Sequence, residues 1–296
     1  MSVTTSTTKG VSFPIRKYAR SGAKAPETRQ IRAPVLHAAQ RVLPIALPLA
    51  LALFMLASWS LSTTYGHVNS LILPAPADVL ASLINGLRSG LFLSSAVVTI
   101  QESLLGFLLA VLVGLPLGYG LAKSRLLAAI GHPYLAAGQA IPALVIAPLL
   151  VLWLGYGLLP IMVLCMLVVL FPMVITTILG VQTIDRDLAD AARVEGASGW
   201  RLLASIEFPL ALPAILAGIR TGLTLSITGA VVGEFVSGGA SVSGGAQGQG
   251  LGVLVQLARY QYDTAFLFAT LLVLATLAIL YYGTSWILIK LAQAIY

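Results

Sequence analysis

The chain has 296 residues, of which 58% are hydrophobic and only 9% charged, and its mean hydropathy is +0.95. About a quarter of the residues of a soluble globular domain are charged, so composition excludes that class and points to an integral membrane protein. The net charge of +7 follows what membrane topology demands and implies no nucleic-acid partner.

In chain order, residues 1–42 read as a flexible basic tail rich in Ser, Thr and Gly, with Arg32 and Arg41 close enough to the membrane to meet anionic lipid headgroups. The charged lead-in is too long for a cleaved signal peptide. A span needs about 20 apolar residues, and six windows supply them. They start at Leu43, Ser94, Ala137, Leu158, Pro209 and Ala265. Backbone groups in lipid must bond within their own segment and no alternating barrel pattern is present, so the fold class is an all-α membrane protein with six transmembrane helices. Residues 43–70 form the first helix and its outer loop, and "LPAPADVL" from Leu73 leads a short outer helix. Residues 71–296 form the main transmembrane domain.

Eight Lys and Arg residues precede the first span, two lie between the second and third, three between the fourth and fifth, and one at the C-terminus. The opposite loops carry Arg88 and Arg259. The positive-inside rule therefore puts both termini in the cytoplasm, as an even number of spans requires.

Charge inside the spans falls on Glu102, Arg220 and Glu234, each read as single. A charge at mid-membrane costs at least about 2.5 to 3.5 kcal/mol on insertion scales. Glu234, near an outer end, and Arg220, nearer the cytoplasm, can snorkel or bond to neighbours, whereas Glu102 is the candidate for lining a path or for a buried interhelix bond. Pro142, Pro148 and Pro172 interrupt helical bonding, which makes Pro142 and Pro148, with Glu102 and Glu234, candidates for a translocation path or gate.

The stretch Asp185–Glu207 holds eight of the chain's 27 charged residues, in the loop assigned to the cytoplasm. Asp185–Glu195 reads as a helix capped by Thr183 or Asp185. Leu188, Ala191, Ala192 and Glu195 fall on one face, and Arg186, Asp187, Asp190 and Arg193 on the other. Gly196 ends it, Ser198 caps a second helix with a stripe of Trp200, Leu203, Ala204 and Glu207, and Pro209 opens the next span. The small Ala191 and Ala192 admit a close partner surface, and the charges around them set its register, which makes a docking hairpin. The bland alternative is an interfacial hairpin whose charges pair along the helix.

Several chemistries find no support. Cys165 is the single cysteine, so no disulfide forms within the chain, and His37, His67 and His132 lack metal-ligand spacing. The run Ser237–Gly252 lacks the Gly-Lys-Ser/Thr ending of a phosphate loop and reads as a flexible loop outside the membrane, so any ATP is hydrolysed by another chain. No catalytic set is visible, which ranks a membrane enzyme low. A stand-alone secondary transporter would carry an inverted repeat, and none is evident.

"DAARVEGASGW" followed by "FPLALPAILAGIR" resembles the "EAA" signature of ABC-importer permeases. "GFLLAVLVGLPLGYGLAKS", "IPALVIAPLLVLWLGYG", "FPMVITTILGVQTID" and "YDTAFLFATLLVLATL" are similar to the branch that imports nitrate, sulfonates, taurine, bicarbonate or vitamin precursors. The resemblance runs from about Leu71 to Lys290. It implies a type I importer permease of the bacterial inner membrane, working by alternating access on a small solute. The implied partners are a separate ABC ATPase that uses ATP and Mg, a periplasmic or lipid-anchored substrate-binding protein, and a second permease copy. No cofactor is implied for this chain. Carried onto this sequence, the coupling helices lie within 185–207, and the ATPase-docking residues are Asp190, Ala191, Ala192, Arg193, Glu195, Gly196, Ala197 and Ser198. Asp190 stands where the family has Glu, one methylene shorter. Glu195 does not replace it, being about 140° further around the helix. The Gly-rich run before Gly250, Leu251 and Gly252 is longer than the family's outer loop.

Overall fold

The computed structural model describes residues 34–66, 68–238 and 249–295. The expected tail to residue 33 and the middle of the Gly-rich run, residues 239–248, lie outside the described residues. The chain divides into two units, 1–54 and 55–296. Of the first, the described part is the leading portion of α1 (Pro34–Tyr65), whose helix starts at Pro34, inside the segment expected to be tail.

The second unit is a helical bundle whose element boundaries follow local chemistry. Helix α2 (Pro76–Arg88) starts with Pro at its first position, after an extended Ala75, and has Asp78 in its first turn. Gly90, at φ 74°, turns the chain into α3 (Leu91–Lys123). Ser124 caps α4 (Arg125–Ala140) by accepting from Leu127 N–H at 3.3 Å. Ile141, held extended by the proline that follows it, separates α4 from α5 (Ala143–Leu154), and the two helices meet at 97°. The third span expected from Ala137, with its helical bonding interrupted at Pro142, is a broken pair, because Pro142 supplies no N–H to continue the ladder. Pro148 and Pro172 sit inside α5 and α6 (Leu158–Gln182) without ending them.

Among the described residues four helices are long and apolar enough to cross a membrane, five if the bent pair counts as one. The apolar stretch Ala50–Tyr65 of α1 is shorter. After α6 come α7 (Arg186–Val194), a single turn α8 (Gly199–Leu202), a π-helical turn (Leu203–Glu207) and α9 (Phe208–Ser237). The last three run on as one helix, Gly199–Ser237. A ten-residue α10 (Leu251–Tyr260) and the long α11 (Thr264–Ile295) complete the unit.

Three helices form its centre. Gly106, Gly114 and Gly118 of α3 lie against Cys165, Met173 and Thr177 of α6, a constant offset of 59 positions that makes the pair parallel. Gly218, Gly229 and Gly233 of α9 meet Thr176, Cys165 and Ile161, in antiparallel sense. Small residues let the backbones approach where no hydrophobic drive between helices exists in lipid. Cys165 is wedged between Gly106 and Gly229 and fully buried. Around this centre Phe92 stacks on Phe266 at 5.4 Å, and Trp59 donates to the Pro74 carbonyl at 3.0 Å.

Candidate functional site

Helix α7 is short and strongly amphipathic, and its ends are built locally. Asp185 caps it by accepting from Asp187 N–H at 3.0 Å. At the other end Gly196, at φ 92°, allows Ala197 N–H to reach the Ala192 carbonyl at 2.9 Å and Gly196 N–H the Arg193 carbonyl at 3.0 Å. This Schellman closure needs a left-handed residue, which accounts for glycine at that place. Ser198 is extended at the start of α8, but its hydroxyl makes no capping bond. The second helix instead passes through a π turn and continues through Pro209 without interruption.

The faces of the hairpin differ from the expected stripes. Ala189 and Ala192 are the buried pair of α7, Ala192 being 7% exposed, so Ala192 faces its own chain. Leu188, Ala191 and Val194, spaced by three, point outward, with Val194 89% exposed and Trp200 of α8 78% exposed. A helix of nine residues has too little area to bury a leucine face and a polar face together; the alanines seat it closely and the larger apolar groups are left outside. In the second helix Leu202 and Glu207 are buried, whereas Trp200 and Ala204 are not. Asp190 and Arg193, both exposed, pair with each other at 2.6 Å, and Glu195, Gly196 and Ser198 are exposed with Ala197 half-buried.

Glu207 was read only as a member of a stripe, and it proves to be the most heavily bonded group near the hairpin. Lys123 Nζ binds one carboxylate oxygen, and the Tyr119 hydroxyl donates to the other at 2.8 Å. Sequence carried no signal for this bond, since its partners lie 84 and 88 positions away.

At the other end of the bundle Glu102 and Glu234 are both buried neighbours, and each keeps one carboxyl oxygen without a hydrogen-bond partner among the described residues. The reading of each as a single charge is therefore corrected: α3 and α9 run antiparallel and bring the two together. Glu234 is held by Gly252 N–H at 2.5 Å, while the Thr99 hydroxyl accepts from Leu251 N–H at 2.9 Å and donates to the Ser95 carbonyl at 3.2 Å. Gly252 N–H, in the first turn of α10, thus points at an acid, where a helix start favours negative charge. A Cβ on Gly250 would strike the Glu234 carboxyl, and one on Gly252 would lie 2.6 Å from the Val231 carbonyl. Gly250, Leu251 and Gly252 are buried, so the Gly-rich run does not end as solvent loop.

Pro142 and Pro148 are exposed, whereas the two acids are buried. Arg220, expected to find a neighbour, stacks over the Tyr282 ring at 4.3 Å. Among the described residues no group of three or more His, Cys, Asp or Glu side chains could hold a metal.

The bundle and its surface hairpin define a multi-pass, all-α membrane protein. Residues 106–293 match the family model described as binding-protein-dependent transport system inner membrane component. The riboflavin transport system permease protein RibX of Chloroflexus aurantiacus is 39% identical over 247 residues, covering 83% of this chain and 88% of its own. A probable ABC transporter permease protein of Haemophilus influenzae is 35% identical, covering 81% and 94%. The formylaminopyrimidine transport permease protein ThiX of Halalkalibacterium halodurans is 28% identical, covering 71% and 80%. A crystal structure of an amino acid ABC transporter with histidines shares the fold at a TM-score of 0.53 and 19% identity, covering 72% of this chain and 98% of that one. The chain belongs to the binding-protein-dependent transport system inner membrane component family and is the permease subunit of an ABC importer.

Proposed function

We propose that the outward face of the hairpin, Leu188, Ala191, Val194 and Trp200 beside the Asp190–Arg193 pair, seats the ABC ATPase that supplies ATP hydrolysis, with Glu195, Gly196, Ala197 and Ser198 forming its edge. The observation that carries this reading is the exposure of large apolar side chains on a short, charged element at one end of an apolar bundle. In this reading the hairpin and both termini are cytoplasmic, the membrane is the bacterial inner membrane, and α10 with the acid pair lies toward the binding protein outside. Two copies of the chain enclose the solute path. Glu102 and Glu234 serve to pack α10 onto α3 and α9, and the exposed Pro142 and Pro148 on the bent α4–α5 pair remain the candidates for gate or path.

The solute we propose is a vitamin or vitamin precursor of the riboflavin kind, supported by 39% identity to a riboflavin permease across most of both chains. Tagged chain purified from its native membrane is expected to bring down an ATPase and a binding protein, and Val194→Asp with Leu188→Asp to lose the ATPase while keeping the folded bundle. Retention of the ATPase by that double variant would refute the docking face. Riboflavin uptake by cells that lack any other flavin importer tests the solute, and no uptake above background excludes it.

A further inference from the structure

Neither docking nor a solute path uses Glu207, yet its surroundings are unusual. It closes the π turn Leu203–Glu207, a wide turn of the kind found as single insertions at functional places in helices. The residue is 1% exposed, and both of its oxygens are taken by α3: one by Lys123, the last residue of that helix, and one by Tyr119, a turn earlier. Residues four apart share a helix face, so the two grip the carboxylate from one side.

Around this bond the chain is not densely packed. A cleft of about 610 Å³ lies among Lys123, Arg125, Gln182, Asp190 and Arg193. A second, about 600 Å³, runs beneath Gly196–Gly199, and an apolar one of about 290 Å³ lies between Pro116, Val181 and Phe208. Glu207 lines all three. The hairpin is therefore seated on the bundle by Ala189, Ala192 and Leu202 with clefts left between these contacts, and a buried, charge-assisted, doubly bonded carboxylate stands where the clefts meet. Close-packed interiors transmit displacement and loose ones absorb it, whereas charge-assisted bonds are short and strong.

From this geometry we infer that Glu207 is a positioning residue that makes the hairpin and α3 move as one body, so that ATP-driven displacement of α7 reaches the glycine seam between α3 and α6. The inference rests on the hairpin being the ATPase-docking element. Without the Glu207 bond the same displacement is spent in closing the clefts.

The test uses the complex purified with its ATPase in lipid nanodiscs, spin-diluted with unlabelled chain, and nitroxide pairs read by pulsed electron resonance without nucleotide and with ATP and vanadate. One pair joins Asp187→Cys on α7 to Leu112→Cys on α3, and a reference pair joins Asp187→Cys to Ile279→Cys on α11. The 187–279 distance is expected to shift with nucleotide and the 187–112 distance to stay fixed. Glu207→Gln and, independently, Lys123→Met are expected to make the 187–112 distance shift as well. The swap Lys123→Glu with Glu207→Lys restores the fixed distance, which a purely structural role would not predict. A 187–112 distance that shifts in the unaltered chain, or stays fixed in both single variants, overturns the inference, as does a 187–279 distance that does not respond. Loss of the ATPase on purification of the unaltered chain is a separate result and overturns the docking reading beneath it.

Discussion

Two buried glutamates at opposite ends of the same bundle are held in opposite ways. Glu234 is bound by the Gly252 N–H, with two glycines fitted against it so closely that neither tolerates a Cβ. Glu207 is bound by a cation and a phenol where three clefts meet. The first site is packed closely against the start of α10. The second is buried too, yet it is anchored by a cation and a phenol with a cleft on each side of its bonds. A buried acid can thus serve to immobilise one junction or to bridge another, and the difference lies in what fills the space around it.

The comparison breaks most visibly if the packed site is emptied. Glu234→Ala orphans Gly252 N–H and opens a cavity, a loss of about 3 kcal/mol or more, expected as the largest fall in thermal stability in detergent. A silent Glu234→Ala would mean that the α10 junction is not tightly built. Gly196→Ala forces a non-glycine residue to φ 92°, at about 1 to 2 kcal/mol confined to the end of α7. Faster amide exchange across α7, with the bundle unchanged, is the expected reading.

Glu207→Gln sharpens the contrast from the other side. Its stability cost is expected to be about 1 kcal/mol, because Lys123 can turn toward water, while solute moved per ATP falls by about tenfold, within the range of ordinary coupling between sites. An equal fall in stability at both glutamates would erase the distinction drawn between them. Asp190→Asn is expected to do least, about 0.2 to 0.5 kcal/mol, since an exposed pair three residues apart on a helix contributes little. ATPase retained through a salt titration of that variant checks whether the pair also sets docking register.

What the sequence made legible was everything set by neighbours within a turn or two. The α7 cap at Asp185, the stop at Gly196 and the proline that opens α2 all follow from residue type at a known offset. The family signature placed the hairpin. Contacts set by the bundle were not legible. Glu102 and Glu234 lie 132 positions apart, and nothing in either span says that α3 and α9 will bring them level. Which alanine of α7 turns inward depends on what the rest of the bundle sets beneath it, so a stripe that puts Ala191 and Ala192 on one face misses that Ala189 and Ala192 are the buried pair. The break at Pro142 was written in the residue but not in its size: a proline predicts a fault in a helix, and the neighbouring elements decide whether that fault becomes a kink or a corner of 97°.

Cys165 has a practical consequence. The chain's one thiol is pressed between Gly106 and Gly229 and shows no surface, so a maleimide or nitroxide reagent has no route to it while the seam stays closed. The protein is in effect already cysteine-free to a chemist, and any cysteine installed on its surface is the one that labels. The same sulfur is a built-in alarm: reactivity at Cys165 reports that α3, α6 and α9 have come apart.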